Sequence, residues 1–389
     1  METREGWAWL PDLLLDTIIK NLILPADYIR FGAVCKHWHS IAVGIVQNNT
    51  CPMLMIPTKD SSKERRSLYN VIQSKNYDIE LPIPFNRRCC GCSHGWLAFA
   101  MDDLVITLFN PFLGKQIDLP RLLNLEPEYD PQYYVRKVVL SADPFTNPDD
   151  YEVVAIYGGM ERLALLRVGQ KTWIRIPVQK SVRQKFVASD VIYYQGLIYA
   201  VNFHNKCMCG RIIKVDTTAR TIATVARWKV NSPDEVNYVQ AKSYLVESST
   251  GELLIINRLL PYKDKISKGE RIGFTSKLKI HKIGRNGEKS MLNVLGNDAL
   301  FLGDNQSTSI LASKFSGCRP NSIYFTDDYI DFCYPNGPRD MGILNLKDGT
   351  FECHYLPNPS HRAMPPPIWI APTPAMFRLR HSSMSTVSR

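Results

Sequence analysis

The stretch Trp9-Leu10-Pro11-Asp12-Leu13-Leu14-Leu15, which runs on to Val34-Cys35-Lys36-His37-Trp38, decides how the start of this chain folds. From Leu10 to Leu22 the apolar residues recur with helical period, and Asp12 suits the positive end of a helix dipole. Pro11 suits the first helical position, where its missing N–H would have no partner. At about 100° per residue, the apolar side chains cover an arc of roughly 240°. They are Leu10, Leu13, Leu14, Leu15, Ile18, Ile19 and Leu22.

This apolar arc is wider than the stripe of about 100° that a surface helix needs in order to cover a core. Pro25 separates the first helix from a second, which Asp27 can cap. Three-to-four spacing then continues to the end of the unit, through Tyr28, Ile29, Phe31, Val34, Trp38, Ile41 and Ala42. A unit of about 40 residues rarely stabilises itself without a metal, a disulfide or a partner. The sequence therefore predicts a three-helix module that completes its core on another protein.

The same residues resemble an F-box over residues 7–46, through Leu10-Pro11, the leucine and isoleucine series, and Val34-Cys35 with Trp38. The resemblance implies docking on the Skp-type adaptor of a Skp–cullin–F-box ubiquitin ligase, and through it on a cullin. The residues expected at the adaptor are Leu10, Pro11, Leu13, Leu14, Ile18, Leu22, Ile29, Val34, Cys35 and Trp38. The alternative is an ordinary helical hairpin that packs on the rest of the chain.

Length and composition limit the class of protein. A chain of 389 residues accommodates one small domain and one large β domain. It has no run of about 18 apolar residues, so we expect no membrane span. The N-terminus lacks the apolar segment of a secretory signal, and we expect an intracellular protein of the cytoplasm or nucleus. The ten cysteines follow no scaffold pattern and should be mostly reduced.

The net charge of +10 could indicate a nucleic-acid or acidic partner. The basic residues are dispersed along the sequence, however, and the densest cluster (Lys59, Lys63, Arg65 and Arg66) also contains Asp60 and Glu64. No RNA-binding aromatic signature or zinc-finger spacing accompanies it. The charge pattern therefore favours a solvated basic surface over nucleic-acid binding.

Beyond the helical unit the apolar period changes from about 3.6 to 2, which indicates strands. A closing hairpin recurs six times, often ending in an aliphatic-Pro pair, at residues 68–82, 108–120, 165–177, 212–225, 278–294 and 343–357. The copies are roughly 55 residues apart, whereas kelch-type propeller blades run about 50. Further strand pairs precede several copies, so four strands per unit predict a β-propeller of about six degenerate blades. A large sandwich or two smaller β domains remain alternatives.

The fold class is thus a small N-terminal all-α three-helix F-box followed by a large all-β domain. We divide the chain into residues 1–48 (F-box), 49–66 (linker and first strand), 67–377 (β-propeller-like domain) and 378–389 (tail). The tail is rich in Ser, Arg and Thr and should be disordered. Trp369, which follows Pro365-Pro366-Pro367, should be buried in an extended segment that lies over the domain.

Several motifs in the β domain resemble a large plant family that joins an F-box to a kelch-like domain of unknown function. They are Ser93-His94-Gly95-Trp96-Leu97, Phe109-Asn110-Pro111, Leu302-Gly303-Asp304-Asn305, residues 317–328, Gly342-Ile343-Leu344-Asn345-Leu346 and Pro366-Pro367-Ile368-Trp369. The resemblance implies substrate recognition for ubiquitin ligases. The double-glycine pattern of kelch repeats is absent, apart from Gly158-Gly159.

Gly91-Cys92-Ser93-His94-Gly95 matches the G-x-S-x-G nucleophile elbow of α/β-hydrolases, and a hydrolase-like enzyme is the alternative function. That chemistry requires a strand before the serine and a helix after it. Here strand-like sequence, Trp96-Leu97-Ala98-Phe99, follows, although Asp304 and His354 could serve as downstream acid and base. The other interpretation is that Gly95 starts a blade strand and that His94 makes a turn or a core hydrogen bond.

Two clusters combine thiols and imidazoles, Cys89, Cys90, Cys92 and His94 in one, and His204, Cys207 and Cys209 in the other. Adjacent cysteines fit zinc poorly, so we expect reduced structural thiols and no metal. Asp327, Asp328 and Asp331 lack the glycine and ligand spacing of a calcium loop and should be turn residues. No phosphate-binding glycine-rich loop is present, and no cofactor is expected.

These patterns predict a non-catalytic adaptor whose helical end holds the ligase and whose β domain binds a target protein. The long connections Leu122–Tyr134 and Leu259–Gly273 are the expected target contacts, because binding residues concentrate on loops. The sequence does not identify the target.

Overall fold

A computed structural model describes residues 6–22, 25–46, 51–57, 66–81, 87–111, 113–122, 131–159, 162–177, 186–204, 209–229, 238–261, 266–267, 270–271, 275–328, 340–356 and 365–371. Three helices come first, as expected: α1 (Asp12–Lys20), α2 (Pro25–Gly32) and α3 (Lys36–Val46). Pro11 has an extended ψ of 146° and lies just before α1, not at its first position. Among the described residues, no helix combines the length and the apolar character that a membrane span requires.

Six β-sheets follow and form the blades of a β-propeller. Blade 1 contains β1 (Met53–Pro57), β2 (Arg66–Asn70) and β3 (Lys75–Leu81). Blade 2 contains β4 (Cys89–Ser93), β5 (Trp96–Ala100), β6 (Ile106–Asn110) and β7 (Lys115–Asp118). Blade 3 follows the one-turn helix α4 (Pro131–Tyr134) and contains β8 (Val135–Leu140), β9 (Glu152–Tyr157), β10 (Arg162–Arg167) and β11 (Ile174–Arg175). Blade 4 contains β12 (Asp190–Tyr194), β13 (Leu197–His204), β14 (Cys209–Asp216) and β15 (Thr221–Lys229).

Blade 5 contains β16 (Tyr238–Glu247), β17 (Leu253–Pro261), β20 (Lys277–Ile283) and β21 (Lys289–Leu292), with a small hairpin of β18 (Ile266–Ser267) and β19 (Glu270–Arg271) inserted. Blade 6 contains β22 (Asp298–Leu302), β23 (Ser307–Leu311), β24 (Ser322–Phe325), β25 (Gly342–Asn345) and β26 (Phe351–Glu352), in the order β23-β22-β24-β25-β26. Strands β22 and β24 pair in parallel. The last strand, β27 (Ile368–Ile370), returns to blade 1.

All six predicted closing hairpins are antiparallel strand pairs. Between each pair of neighbouring blades lies one apolar core, so the ring has six such cores. Strand β1 shows how one strand supplies two of them. Met53 and Met55 pack towards blade 2, whereas Leu54 and Ile56 pack towards blade 6. Period-two alternation therefore encodes contact with both neighbouring blades.

The ring closes where β27, from the end of the chain, pairs antiparallel with β1, from its beginning. Trp369 of β27 is 1% exposed, which confirms its predicted burial, although its segment is a blade strand and does not merely lie over the domain. Its indole Nε1 donates to the Leu302 carbonyl of blade 6 at 2.9 Å, and its ring meets Phe301 edge-on at 4.9 Å. Asn305 Nδ2 donates to the Trp369 carbonyl at 2.8 Å. Trp369 therefore joins the first blade to the last.

Buried charges from five blades meet near the axis. Asp304 of blade 6 pairs with Arg88, just before β4, and with Lys242 of β16. Lys137 of β8 pairs with Asp190 of β12. Although burial opposes ionisation of the Asp304 carboxyl, Lys242 and Arg88 hold its pKa below the usual range. These ion pairs connect side chains of different blades.

We expect Trp369→Ala to destabilise the propeller by about 3–5 kcal/mol, because the substitution leaves a core cavity and removes the closing hydrogen bond. Urea unfolding followed by far-UV circular dichroism measures this loss. Trp9→Ala is the matched control, since the Trp9 ring is exposed. Equal unfolding midpoints for the two variants would contradict the role of Trp369 in closure.

We expect Asp304→Asn to destabilise the fold at pH 7 by about 3–5 kcal/mol, because Arg88 and Lys242 would both lose the buried carboxylate with which they pair. The folded pKa of Asp304 is depressed, so its stabilisation is present above the unfolded pKa of about 4 and is lost as the pH falls through the folded value. Urea unfolding from pH 7 down to pH 3 should therefore show the difference from wild type shrinking only below about pH 4.

Asp102→Asn is the control for this effect. Asp102 also pairs with an arginine, Arg87, but the carboxylate is exposed, so solvent screens the pair. If Asp102→Asn lowered the free energy of unfolding as much as Asp304→Asn does, the ion pairs between blades would stabilise the fold no more than an exposed pair.

Candidate functional site

The helical unit carries an exposed apolar face. Its members are Trp7, Trp9, Leu13, Leu14 and Val34, of which Leu13 is 81% and Trp7 74% exposed. Other described apolar side chains form the small core of the unit: Leu15, Ile19, Phe31, Trp38 and Ala42, with Leu10, Ile18, Leu22, Tyr28, Cys35 and Ile41 packed against them. As the wide arc predicts, three short helices cannot bury all of their apolar surface.

Local contacts fix this face in place. The buried Trp38 indole Nε1 donates to the Trp7 carbonyl at 3.0 Å, which holds the 3₁₀ turn Trp7–Trp9 against α3. His37 Nε2 lies 2.9 Å from Asp12 Oδ1 and ties α3 to the first turn of α1. Leu113, in the turn between β6 and β7, packs against the helical core. The exposed face is therefore presented by a packed unit that contacts blade 2.

The structure divides the ten expected adaptor-binding residues into groups. Pro11, Leu13, Leu14 and Val34 are exposed, whereas Leu10, Ile18, Leu22 and Cys35 are half-buried, Trp38 is buried, and the Ile29 side chain lies outside the described residues. Trp7 and Trp9 join the face without having been predicted. Two tryptophans directly before an apolar helix were the available signal, since large exposed aromatic side chains favour interfaces.

The serine of the G-x-S-x-G motif has a structural role here. Strand β5, not a helix, follows Ser93, and His94 and Gly95 form the hairpin turn with φ of 53° and 78°. The Ser93 hydroxyl accepts a hydrogen bond from the Leu140 N–H at 3.2 Å. A Cβ on Gly91 would lie 2.3 Å from the Val138 carbonyl oxygen, so glycine lets the inner strands of blades 2 and 3 approach. The predicted turn at His94 is confirmed.

The other two groups considered for a hydrolase triad are engaged elsewhere. Asp304 is paired with Arg88 and Lys242. A ring nitrogen of His354 lies 3.0 Å from the Phe325 carbonyl, and burial lowers the pKa of His354 to about 4. Neither side chain is hydrogen-bonded to Ser93, so the described residues do not assemble a triad.

Burial explains the chemistry of the first cysteine cluster. It raises the pKa of Cys89 to about 11 and that of Cys90 to about 12, which disfavours the reactive thiolate. Cys89 Sγ donates to the Gly91 carbonyl at 3.0 Å. Within the described part of the chain, no group of three metal-ligating side chains converges.

The second cluster departs from the expected reduced state, because Cys209 is disulfide-bonded. Cys207 and the His204 side chain lie outside the described residues, as does Asp331 of the acidic group. Asp328 is not an exposed turn residue. Its carboxylate accepts hydrogen bonds from Tyr244 at 2.7 Å and from Thr326 at 2.8 Å, and burial raises its pKa.

A cavity of about 310 Å³ opens at the axis, at the carboxyl ends of the inner strands of blades 2 and 3. Its hydrogen-bonding side chains include Ser93, His94, Ser141, Gln306 and Ser307. Most of the two loops predicted to contact a target, Leu122–Tyr134 and Leu259–Gly273, lies outside the described residues. Their role stays a prediction.

Comparison with known proteins agrees with this two-part organisation. F-box protein At2g17036 of Arabidopsis thaliana is 24% identical over 94% of this chain and 94% of its own length. F-box protein At4g35733 of the same plant is 24% identical over 90% of this chain and 97% of its own length. F-box protein At3g56470, also from Arabidopsis thaliana, reaches 35% identity over 31% of this chain and 32% of its own length.

The family described as KIB1-4 beta-propeller matches residues 68–345, which run from the second strand of blade 1 to the end of β25 in blade 6. The match therefore covers most of the propeller and well over half of the chain, and relatives that resemble nearly the whole chain are plant F-box proteins. With six blades, an apolar helical face before them and this match along the ring, the chain belongs to the KIB1-4 beta-propeller family.

Proposed function

We propose that the chain is the substrate-recognition subunit of a Skp–cullin–F-box ubiquitin ligase, in which the helical unit is an F-box. The helices dock on the Skp-type adaptor, and through it on the cullin, while the propeller binds a target protein. The proposal also places the protein in the cytoplasm or nucleus, where these ligase subunits work.

The observation that carries the proposal is the exposed apolar face of Trp7, Trp9, Leu13, Leu14 and Val34. Large apolar side chains that cluster on a small unit mark a protein interface, because water penalises their exposure. Leucine and tryptophan anchors of this kind supply the buried centre of an interface. The names of the relatives support an F-box assignment for the same segment.

Catalysis is not part of the proposed role. Ser93 lies in a hairpin between blade strands, and the thiols of Cys89 and Cys90 are buried with raised pKa values. Ubiquitin transfer belongs to other subunits, and this chain contributes by tethering. Holding a target on the propeller raises the effective concentration of its lysines near the conjugating enzyme.

We expect the double substitution Leu13→Asp with Leu14→Asp to abolish co-purification with a Skp-type adaptor. Each anchor should contribute about 2 kcal/mol, so the affinity should fall by at least about 100-fold. Both side chains are exposed, so the propeller should keep its circular dichroism spectrum and urea midpoint. Leu10 is a poorer choice, since it packs on the helical core and its loss would unfold the unit.

The matched control is Leu356→Asp with Val294→Asp, which places the same charges at exposed apolar positions of the propeller that are 82% and 63% accessible. This variant should bind the adaptor like the wild type. Retained binding by the Leu13/Leu14 variant, or equal loss in the control, would contradict the proposed docking face.

A further inference from the structure

The positive charge that is dispersed along the sequence is concentrated in the structure. Residues 209–229 of blade 4 and 277–292 of blade 5 carry ten basic and two acidic residues. These stretches form the two outer strands, with their connecting turns, of adjacent blades. By contrast, Arg66 of the densest sequence cluster is buried. Folding therefore brings two basic stretches that are distant in the sequence side by side.

A groove of about 400 Å³ runs between these two blades. Blade 4 contributes Tyr194, Tyr199 and Lys214, and the β20–β21 turn of blade 5 contributes Arg285 and Asn286. The rings of Tyr194 and Tyr199 meet edge-on at 5.3 Å. No carboxylate side chain is among the described residues that line the groove.

At the wall of the groove, the backbone of the β20–β21 turn lies very close to the backbone of β15. Gly287 has a φ of 81°, and a Cβ there would lie 1.9 Å from the Val225 carbonyl oxygen of β15. The β20–β21 turn of blade 5 therefore rests directly on the outer strand of blade 4, and only glycine permits this approach. This contact holds the hairpin turn that carries Arg285 beside the groove.

The lining cations are not neutralised from within the described chain. Lys214 and Arg285 are exposed, and neither forms a salt bridge there. Carboxylates do lie nearby. Glu252 is paired with Lys282, and Glu288 lies against Gly284. Burial raises the pKa of the Tyr194 hydroxyl, Glu247 and Glu252 act in the same direction, and Arg285 opposes them. The cations of the groove thus remain available to an external anion.

Further positive charge lies along the contact between blades 4 and 5. Lys289 Nζ of β21 lies 4.6 Å from the ring centre of Trp228 of β15, so the two blades touch through a cation–π contact. Burial, together with Lys289 and Lys279, lowers the pKa of His281 to about 4. His281 is therefore neutral at pH 7.

We propose that this groove between blades 4 and 5 binds an acidic segment of the target protein, a stretch rich in Asp and Glu. The inference rests on the proposed function, which requires the propeller to hold a target, and it adds the chemistry of that target. Two cations fixed beside two tyrosine rings suit a short extended peptide whose carboxylates pair with Lys214 and Arg285. A protein segment is favoured over nucleic acid because the proposed function requires the propeller to hold a protein, and because both rings are half-buried, which limits the area available for stacking bases.

The test is fluorescence anisotropy with the full chain and a fluorescein-labelled dodecapeptide of alternating Asp and Glu. We expect saturable binding that weakens as salt rises from about 50 to 300 mM, since exposed charges are screened. Lys214→Glu with Arg285→Glu should weaken binding by at least about tenfold. The control, Lys171→Glu with Arg175→Glu, reverses two exposed charges on blade 3 and therefore changes the net charge equally.

Equal weakening by the two variants would overturn the groove as the site. Tighter groove-dependent binding of a 12-nucleotide RNA or of phosphatidylserine vesicles would overturn an acidic protein segment as its ligand. If the charge reversal unfolds the chain, Lys214→Gln with Arg285→Gln provides the same comparison. A photoreactive version of the peptide should crosslink within residues 194–199 or 283–286, and crosslinks confined to other blades would contradict the proposal.

Adaptor co-purification distinguishes this inference from the proposed function. If the adaptor binds and the peptide does not, the groove proposal alone fails. If the peptide binds the groove and the adaptor does not bind the helices, the ligase role fails while the acidic-segment site stands.

Discussion

The constraint on which the structure depends is closure of the ring. A propeller blade is apolar on both faces, so each blade needs a neighbour on each side, and the first and last blades can satisfy this only by meeting. Pairing of β27 with β1 makes blade 1 out of both ends of the domain. The Trp369 indole then donates a hydrogen bond to the Leu302 carbonyl of blade 6. Its ring lies in the core between blades 6 and 1, the last of the six inter-blade cores.

This constraint also explains what the sequence could and could not predict about the fold. Outer hairpins such as β14–β15 have tight turns and alternating polarity, and all six were found from the sequence. The inner strands β4 and β8 were not predicted. Nearly all of their side chains are buried, so their sequences do not alternate between apolar and polar residues. Closure by β27 was missed for a different reason: a three-residue strand more than 300 residues away from its partner leaves no local pattern.

The candidate sites divide in the same way. The apolar face of α1 was predictable, because a helix with too wide an apolar arc must leave part of it exposed, as Leu13 shows. Gly91 and Ser93 match a catalytic motif, which supported a hydrolase only as the alternative function. In the structure, Gly91 allows close approach to Val138, and Ser93 accepts a hydrogen bond from Leu140. Both contacts are with blade 3, so the local sequence does not predict them. The blade 4–5 groove likewise combines residues that are distant in the chain.

Charges in this propeller follow two opposite arrangements. Near the axis, Arg88, Lys137 and Lys242 are paired with Asp190 and Asp304, because an unpaired buried charge would be costly. At the outer groove, Lys214 and Arg285 stay solvated, so they need no internal partner to keep the fold stable. Paired charges near the axis stabilise the ring, whereas exposed cations between blades add little stability and retain their capacity to attract an anion. Stability and recognition therefore rely on different charged residues, which allows the groove to vary without weakening the closed ring.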